Sequence, residues 1–583
     1  VVNELPFREI WAVDFEYYSA DGDPPIPICL VAKELRTGRV IRQWRDEFGP
    51  FPPYRLDHEA LFVAYAANAE FGCHNVLGWG QPTNVLDLYA EFRCIDNSAA
   101  SETREKGYYK LPRVLMSFGE NAISVSEKAE MIDRILKGPP YSAQDRADIL
   151  DYCESDVVSL ERLLPHMLPK IENLRHALHR GRYMWPVATM EHRGIPVDVS
   201  TLRQMQTHWD DIRLALIANA QRDHGVEVYL DGSFKEAAFE AWITRLRIPW
   251  PRLESGRVEL KAKTFRDMAR MFPQIEPVRE LRSTLAELRL NRISVGADGR
   301  ARCSLMPFAS KTSRNQPSSA GYVFGPAKWI RFLIRPEPGR VLVHRDYSQQ
   351  EIVIAAVLSG DRKLLDAAET GDAYMALAKE FRHAPADATA ETHPDVRKRF
   401  KIIALAINYG MAAPSLAAQT GLSLSEACEL LTQVRLRYRR FWEFAERVAN
   451  GAGLDLAVRT GLGWRMRTPP GRTNPRTVRN FPMQATGAEI LRAACILAEG
   501  RGIEVIAPVH DALMAEGPAA GAEDLSQALD QAMGDASQAV LQGYRLRTDV
   551  QVIRHTGRFY DKRGEGMWSR VNALLGQLER CHG

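Results

Sequence analysis

The sequence predicts a multidomain protein of mixed α/β and α+β class. Three observations carry that expectation. The chain has 583 residues, several times the roughly 150 of one domain. Its first 165 residues alternate apolar and polar segments, starting from a strand-like run, EIWAVDFEY, at 9–17, as in a sheet covered by helices. Further on, GRVLVHRDYSQQEIVIAAVLSG reads as strand, turn and helix, and VIAPVHDALMAEG as a hairpin, with helical sequence between them.

The elements follow in order. The run at 9–17 is a buried strand with two carboxylates embedded in it. GPP at 138–140 interrupts the first part, and Asp145 to Leu164 is helical by its apolar spacing, with Tyr141-Ser142 as its entry. Residues 167–295 repeat Leu, Ala and Arg at three- and four-residue intervals and read as mostly helical, with Gly232 to Arg257 as a connecting region. ISVGADGRARCSL places a Gly-rich turn between strand-like runs, and 360–455 is helical. The texture divides the chain at about 170 and 300, with a helical insertion at 360–480.

Composition narrows the class. Hydrophobic residues are 45% and charged residues 26%, which excludes a disordered or collagen-like chain. No run approaches the roughly 18 apolar residues of a membrane span, and no charged-then-apolar leader opens the chain. A cytoplasmic protein without a membrane partner is expected. The eight cysteines are scattered with no CxxC pair, so neither a structural zinc site nor a disulfide framework is expected. A net charge of +3 decides little. Its clustering says more: Arg435, Arg437, Arg439 and Arg440; Arg465, Arg467, Arg472, Arg476 and Arg479; and Arg397, Lys398, Arg399 and Lys401. Such clusters suit a basic face toward phosphates, the bland alternative being solvated helix faces.

Two carboxylates stand at strand ends. Asp346 follows the apolar VLVH, and Asp511 lies at the turn of the hairpin-like run. Buried carboxylates at strand ends are costly unless compensated, and a pair of divalent cations compensates them. Two such ions can activate a 3′ hydroxyl and stabilise a pyrophosphate leaving group. The helix between them places Arg397, Lys401, Leu405 and Tyr409 four apart, on one side. An Arg and a Lys one turn apart suit a triphosphate. DYSQQE at 346–351, Arg-x₃-Lys-x₇-Tyr-Gly at 397–410 and VHDA at 509–512 resemble motifs A, B and C of family A DNA polymerases, the bacterial DNA polymerase I family. KTSR at 311–314, IRFLIRPEPGR before motif A and NFPMQATGAEIL at 480–491 resemble the family's flanks. The resemblance is dense from about 300 onward and extends weakly through MEHRGIPVDVSTL at 190–202.

The resemblance implies roles. Asp346 and Asp511 would be catalytic and bind both metal ions. Arg397 and Lys401 would hold the triphosphate, with Tyr374 where the family has a His that reaches it. Glu351 would be the steric gate against a ribose, and Gln350, Leu405 and Tyr409 would border the nucleotide. Arg314 and Gln484 would contact the DNA minor groove, and His510 the primer end. Ala512 stands where the family has Glu, Gln350 where it has Ile, and Leu405 where it has an aromatic. Leu405 cannot stack or donate a hydrogen bond, which implies discrimination against dideoxynucleotides.

Upstream, Asp14 and Glu16 share one strand face, and Tyr152 and Asp156 share one helix side. D-x-E followed by Tyr-x₃-Asp resembles motifs I and III of the family's 3′–5′ proofreading exonuclease domain, an RNase H-like fold. Asp14, Glu16, Tyr152 and Asp156 would be its catalytic residues. Its second motif is unclear. Glu70 is aligned with the metal ligand and Asp87 with a second, non-ligand Asp, although strict counting from Asn68 falls on Gly72.

The implied architecture is an exonuclease domain at 1–170, a linker and helical thumb at 171–300, palm at 301–360, fingers at 361–480 and palm again at 481–583. Two Mg²⁺ are expected at each site, with Mn²⁺ as a substitute. Primer-template DNA and dNTPs are the expected partners of a monomer, as in a compact phage polymerase without a 5′ nuclease domain; any processivity partner is open. The competitors are a polymerase with a degenerate exonuclease domain, a single-subunit RNA polymerase and a non-catalytic DNA-binding subunit.

Overall fold

A computed structural model of the chain describes all residues except Val1, 99–106, 122–124, 288–292, 319–320, 326, 410, 470, 472 and Gly583. The N-terminal part is built on a five-stranded sheet. β1 (Glu9–Tyr18) pairs antiparallel with β2 (Ile26–Glu34) and parallel with β4 (Ala60–Ala64). β3 (Val40–Trp44) and β5 (Val85–Asp87) complete the order β3-β2-β1-β4-β5. The apolar run of β1 is buried on both faces, because helices cover both. α1 (Asn68–Leu77) packs on one side of β1, and α4 (Ala143–Met167) packs on β1 and β2. α4 starts where the sequence expects it: Ser142 caps it, with Asp145 returning the bond to the Ser142 backbone.

Between these lie α2 (Leu88–Ile95) and α3 (Val125–Leu136). Then comes α5 (Leu174–Arg182), which crosses β5 so closely that a Cβ on Gly181 would meet the Val85 carbonyl oxygen at 2.0 Å. Only glycine fits that crossing. A buried bidentate pair, Arg180 to Glu91 at 2.6 and 2.8 Å, clamps α5 to α2.

Residues 184–287 are largely helical. The expected connecting region is a correction: it contains a helix, Glu236–Arg245. Gly232 serves only the turn of a short hairpin before it, while Phe239, Trp242 and Ile243 turn one apolar side into a local core.

The second sheet is fully antiparallel, in the order β7-β8-β6-β9. β6 is Arg340–Tyr347, β7 Glu504–Val509, β8 Ala512–Pro518 and β9 Thr548–Arg554. The long α8 (Pro475–Gly500), buried along most of its length, and α9 (Ala522–Val540) pack against each other, and both lie against β8. α6 (Gln350–Ser359) follows β6 directly, and α7 (Pro394–Tyr409) belongs to the helical insertion.

Part of the basic clusters pairs within the protein: Arg465 holds Glu172, Arg467 holds Asp96, Arg437 holds Glu380 and Arg439 holds Glu443. These pairs join segments distant in sequence or brace a helix turn. Among the described residues no disulfide forms, and no helix is long and apolar enough to cross a membrane.

Candidate active sites

The strand–turn–helix expectation around Asp346 holds, and so does the hairpin around Asp511. Asp346 sits near the end of β6, directly opposite Ala512 of β8 on one side and Asp549 of β9 on the other. Asp511 lies in the tight β7–β8 turn after His510, whose φ is 58°. The Tyr347 amide donates to the Asp511 carbonyl at 3.2 Å, which binds the end of β6 to that turn. The Asp511 carboxylate is near enough to act on the charge of Asp346. Burial pushes the Asp346 carboxyl up to about 8, and the neighbouring Asp511 and Asp549 push the same way against Arg563. Asp346 Oδ1 is buried without a partner. A buried oxygen without a donor beside a second carboxylate is what a hard divalent cation would satisfy, so the residues fit a Mg²⁺ site.

Around this pair the chain gathers cations from the insertion. The Tyr374 ring lies under both the Arg397 guanidinium, at 5.3 Å, and the Lys401 ammonium, at 6.0 Å. Asp372 caps the helix that carries Tyr374 and holds Arg397 Nε at 2.6 Å. Burial raises the Tyr374 phenol, Arg397 opposes the rise, and Asp372 and then Glu351 and Asp511 reinforce it. Glu351 pairs with Arg314 at 3.4 Å. Gln350 is 2% exposed, and its Oε1 lies where a Cβ on Gly487 of α8 would sit, at 2.6 Å. It fills the contact between α6 and α8. Arg314 and His510 line a common cavity of about 460 Å³ with Tyr183, Asn315 and Arg492. Gln484 is half-buried on α8. Leu405 and Tyr409 are on α7, but their side chains lie outside the described residues, as does Gly410.

The N-terminal carboxylates also converge. Asp14, Glu16 and Asp156 each bring an oxygen within 4.8 Å of the others. They meet because i and i+2 of β1 share a face and α4 crosses that face. Burial, then Asp156, pushes the Asp14 carboxyl up to about 8, opposed by Lys128 and a hydrogen bond from the Cys153 thiol. Burial and Asp14 likewise raise Glu16. Three converging oxygen donors fit a divalent cation here as well. Tyr152 is buried one turn before Asp156.

Glu70 is 3% exposed on α1 with Oε2 lacking a partner; burial raises its carboxyl, and among charges Asp14 acts on it most. Asp87 does something different. It caps α2 through the Ala90 amide at 2.7 Å and receives the Ala67 amide at 2.6 Å. It therefore fastens the start of α1, and with it Glu70, to the end of β5.

Sequence reasoning missed three groups. Lys128 of α3 places Nζ 2.6 Å from Asp156 Oδ2. Asp549 is carried opposite Asp346 by strand pairing, and the Ser348 hydroxyl donates to it at 2.5 Å. Asp372 holds Arg397. An acid before a helix signals a cap, so Asp372 was findable. For the other two no spacing signal exists, since each meets its partner only by folding.

The fold matches that of the polymerase domain of Pol1 from M. smegmatis, solved with DNA primer-template and dNTP, with a TM-score of 0.73 at 20% identity, over 93% of this chain and 95% of that one. Residues 325–561 match the model for DNA polymerase family A. Among relatives, a DNA polymerase of Mycobacterium phage D29 is 23% identical over 438 residues, 71% of this chain and 70% of the phage protein. DNA polymerase I of Mycobacterium bovis is 27% identical over 406 residues, 64% of this chain and 43% of that protein. The match to the thermostable DNA polymerase I of Thermus caldophilus, 28% identical, spans 36% of this chain and 26% of that protein.

Proposed function

We propose that the protein is a template-directed DNA polymerase that extends a primer with dNTPs and carries a 3′–5′ exonuclease in its N-terminal part. The observation that carries the first half is the Asp346–Asp511 pair, with an unsatisfied buried oxygen, facing an Arg–Lys–Tyr cluster inside a family A domain. In the reaction the primer 3′ oxygen bonds to the α-phosphorus, the bond to the bridging oxygen breaks, pyrophosphate leaves and the hydroxyl proton goes to water. Asp346 and Asp511 would hold two Mg²⁺, which supply charge neutralisation and a more acidic 3′ hydroxyl. Arg397 and Lys401 hold the triphosphate, and Asp372 keeps Arg397 turned toward it. Glu351, fixed by Arg314, crowds the sugar edge. Arg314 and His510 line a cavity where the primer end would lie, and Gln484 follows on α8.

In the N-terminal part, the order β3-β2-β1-β4-β5 with its two parallel and two antiparallel pairings supports an RNase H-like reading. Asp14, Glu16 and Asp156 would hold metal. Tyr152 would orient the water that attacks the terminal phosphodiester; the bond to the 3′ oxygen breaks, releasing a nucleoside monophosphate. The parts read as exonuclease at 1–170, thumb at 171–300, palm at 301–360 and 481–583, and fingers at 361–480, in a monomer. The D29 relative supports a replicative role in a phage-like setting. Primer extension on a defined template, with dNTPs and then rNTPs, tests the first half. Degradation of a mismatched primer without nucleotides tests the second.

A further inference from the structure

A third carboxylate stands at the sheet end that carries Asp346 and Asp511. In the antiparallel sheet Asp346 has one residue directly opposite it on each side, Ala512 of β8 and Asp549 of β9. Residues so paired point to the same face, with Cβ atoms roughly 4.5–5.5 Å apart. Leu342 of β6, Met514 and Ala512 of β8 and Ile553 of β9 enter one core, and strand alternation carries that face along to the Asp346–Asp549 pair. Asp549 is exposed on the edge strand, yet it is held. The Ser348 hydroxyl donates to its Oδ2 at 2.5 Å, and the Ser348 amide donates to the Arg547 carbonyl at 2.9 Å. Both bonds tie β9 to the turn that leads from β6 into α6.

An acid directly opposite another acid is destabilising, and here Asp511 adds to the crowding from the adjoining turn. The negative charges of Asp511 and Asp549 both act on Asp346. The protein offers little relief. Arg563 is the cation that acts on Asp346, and it is already bonded to Asp561 at 2.9 and 2.7 Å. Asp346 Oδ1 is meanwhile buried with no partner. Ala512 brings no ligand on the β8 side, so Asp549 is the acid that stands beside Asp346 within the sheet. A hard divalent ion takes about six oxygen ligands from carboxylates, phosphates and water, and a carboxylate fixed in this row is placed to be one of them.

We propose that Asp549 is a third carboxylate of the palm metal site, sharing with Asp346 one of the two divalent ions that the polymerase reading places there. This rests on that reading and adds a residue to it. Ser348 is then a positioning residue: its hydroxyl fixes one oxygen of Asp549 and leaves the other for the ion. The primer, the triphosphate and the products are those already described; Asp549 forms and breaks no covalent bond. The bland alternative is that Asp549 only accepts from Ser348 and pins the edge strand.

The test uses the full chain with Asp14→Ala and Glu16→Ala, which removes the N-terminal metal site, and follows Mn²⁺ binding by electron paramagnetic resonance. Binding in this background is expected to be lost with Asp346→Ala. Asp549→Asn is the informative change, because Asn keeps an oxygen to accept from Ser348 and loses the charge. It is expected to weaken Mn²⁺ binding by at least about tenfold, and to slow primer extension at low Mg²⁺ with recovery as Mg²⁺ is raised. Asp549→Glu is expected to retain part of the affinity, and Ser348→Ala to lose less than Asp549→Asn. Unchanged Mn²⁺ affinity in Asp549→Asn overturns the proposal. So does a loss in Ser348→Ala as large as in Asp549→Asn, since the hydrogen bond and not the carboxylate would then be what matters. Should Asp549→Asn lower the Tm, Asp549→Glu decides: affinity kept with the carboxylate supports the proposal, and affinity lost overturns it. If the parent chain extends no primer, the polymerase reading fails by itself, and the Mn²⁺ comparison alone decides whether Asp549 is a ligand.

Discussion

The two carboxylate sites solve one electrostatic problem in opposite ways. At the end of the four-stranded sheet, Asp346 and Asp511 come together with no cation of the protein bonded to either in the described contacts, and an Asp346 oxygen is left unsatisfied. The positive groups of that region, Arg397 and Lys401, sit on Tyr374 in a neighbouring element. At the N-terminal site, Lys128 is bonded to one of the three acids directly. The first arrangement leaves its charge to be met from outside; on the proposed function, ions and a triphosphate would meet it. The second meets part of it permanently. If the proposed functions hold, a site that must bind and release a polyanion at every step gains from keeping its cations off the carboxylates, and a site that acts on one phosphodiester does not need to.

The largest test of this contrast separates the sites. Asp346→Ala or Asp511→Ala should lower primer extension by at least about a hundredfold, the scale of losing a preorganised charged group, and leave 3′–5′ degradation unchanged. Near-normal extension by either variant removes the palm assignment. The reciprocal change, Asp14→Ala with Glu16→Ala, should abolish degradation of a mismatched primer while extension stays within about twofold, as expected for sites on separate sheets.

A third experiment sharpens the comparison at the nucleotide. Glu351 is held by Arg314. Glu351→Ala should raise the rNTP:dNTP incorporation ratio by about tenfold, a little over 1 kcal/mol of lost discrimination. An unchanged ratio would show that another side chain gates the sugar.

Smaller effects are expected from the supports. Asp87→Ala removes the α2 cap and the bond to the Ala67 amide. It should cost about 1–3 kcal/mol of stability and slow degradation through the displaced start of α1. Glu70→Gln should keep the fold and slow degradation without changing extension. If Asp87→Ala stops degradation at full stability while Glu70→Gln does nothing, the alignment of the two acids is reversed.

A further expected effect is in pH. Asp14 and Asp346 are both raised from 3.8 to about 8. The folded, metal-free protein therefore holds protons that the unfolded chain has already lost. That stability is fully present below pH 3.8 and is lost as pH rises through about 8. The Tm of the metal-free protein should fall across that window. Saturating Mg²⁺ should flatten the dependence, because bound metal replaces the protons. A metal-independent slope would mean that other groups dominate the titration.

Local sequence determined a good deal of this protein. The apolar run at 9–17 set β1, and the two-residue period of a strand put Asp14 and Glu16 on one face. Ser142 and Asp145 set the start of α4, and i, i+4 spacing put Tyr152 beside Asp156. The VLVH run and the His510–Asp511 turn set the strand end and the hairpin that carry the two aspartates. Each of these depends on periodicity or capping within a few residues, and sequence reports such short-range rules directly. Tertiary structure alone decided the rest. Arg465 and Arg467 read as a free basic surface, yet their charges are taken up by Glu172 and Asp96 far back in the chain. Lys128 has no motif, and only the packing of α3 over β1 and α4 puts it on Asp156, 28 residues away. Asp549 faces Asp346 only because β9 pairs with β6 across two hundred residues of chain. A charge seeks its partner through space, and where the pairing is set by how sheets and helices stack, no local pattern in the sequence records it.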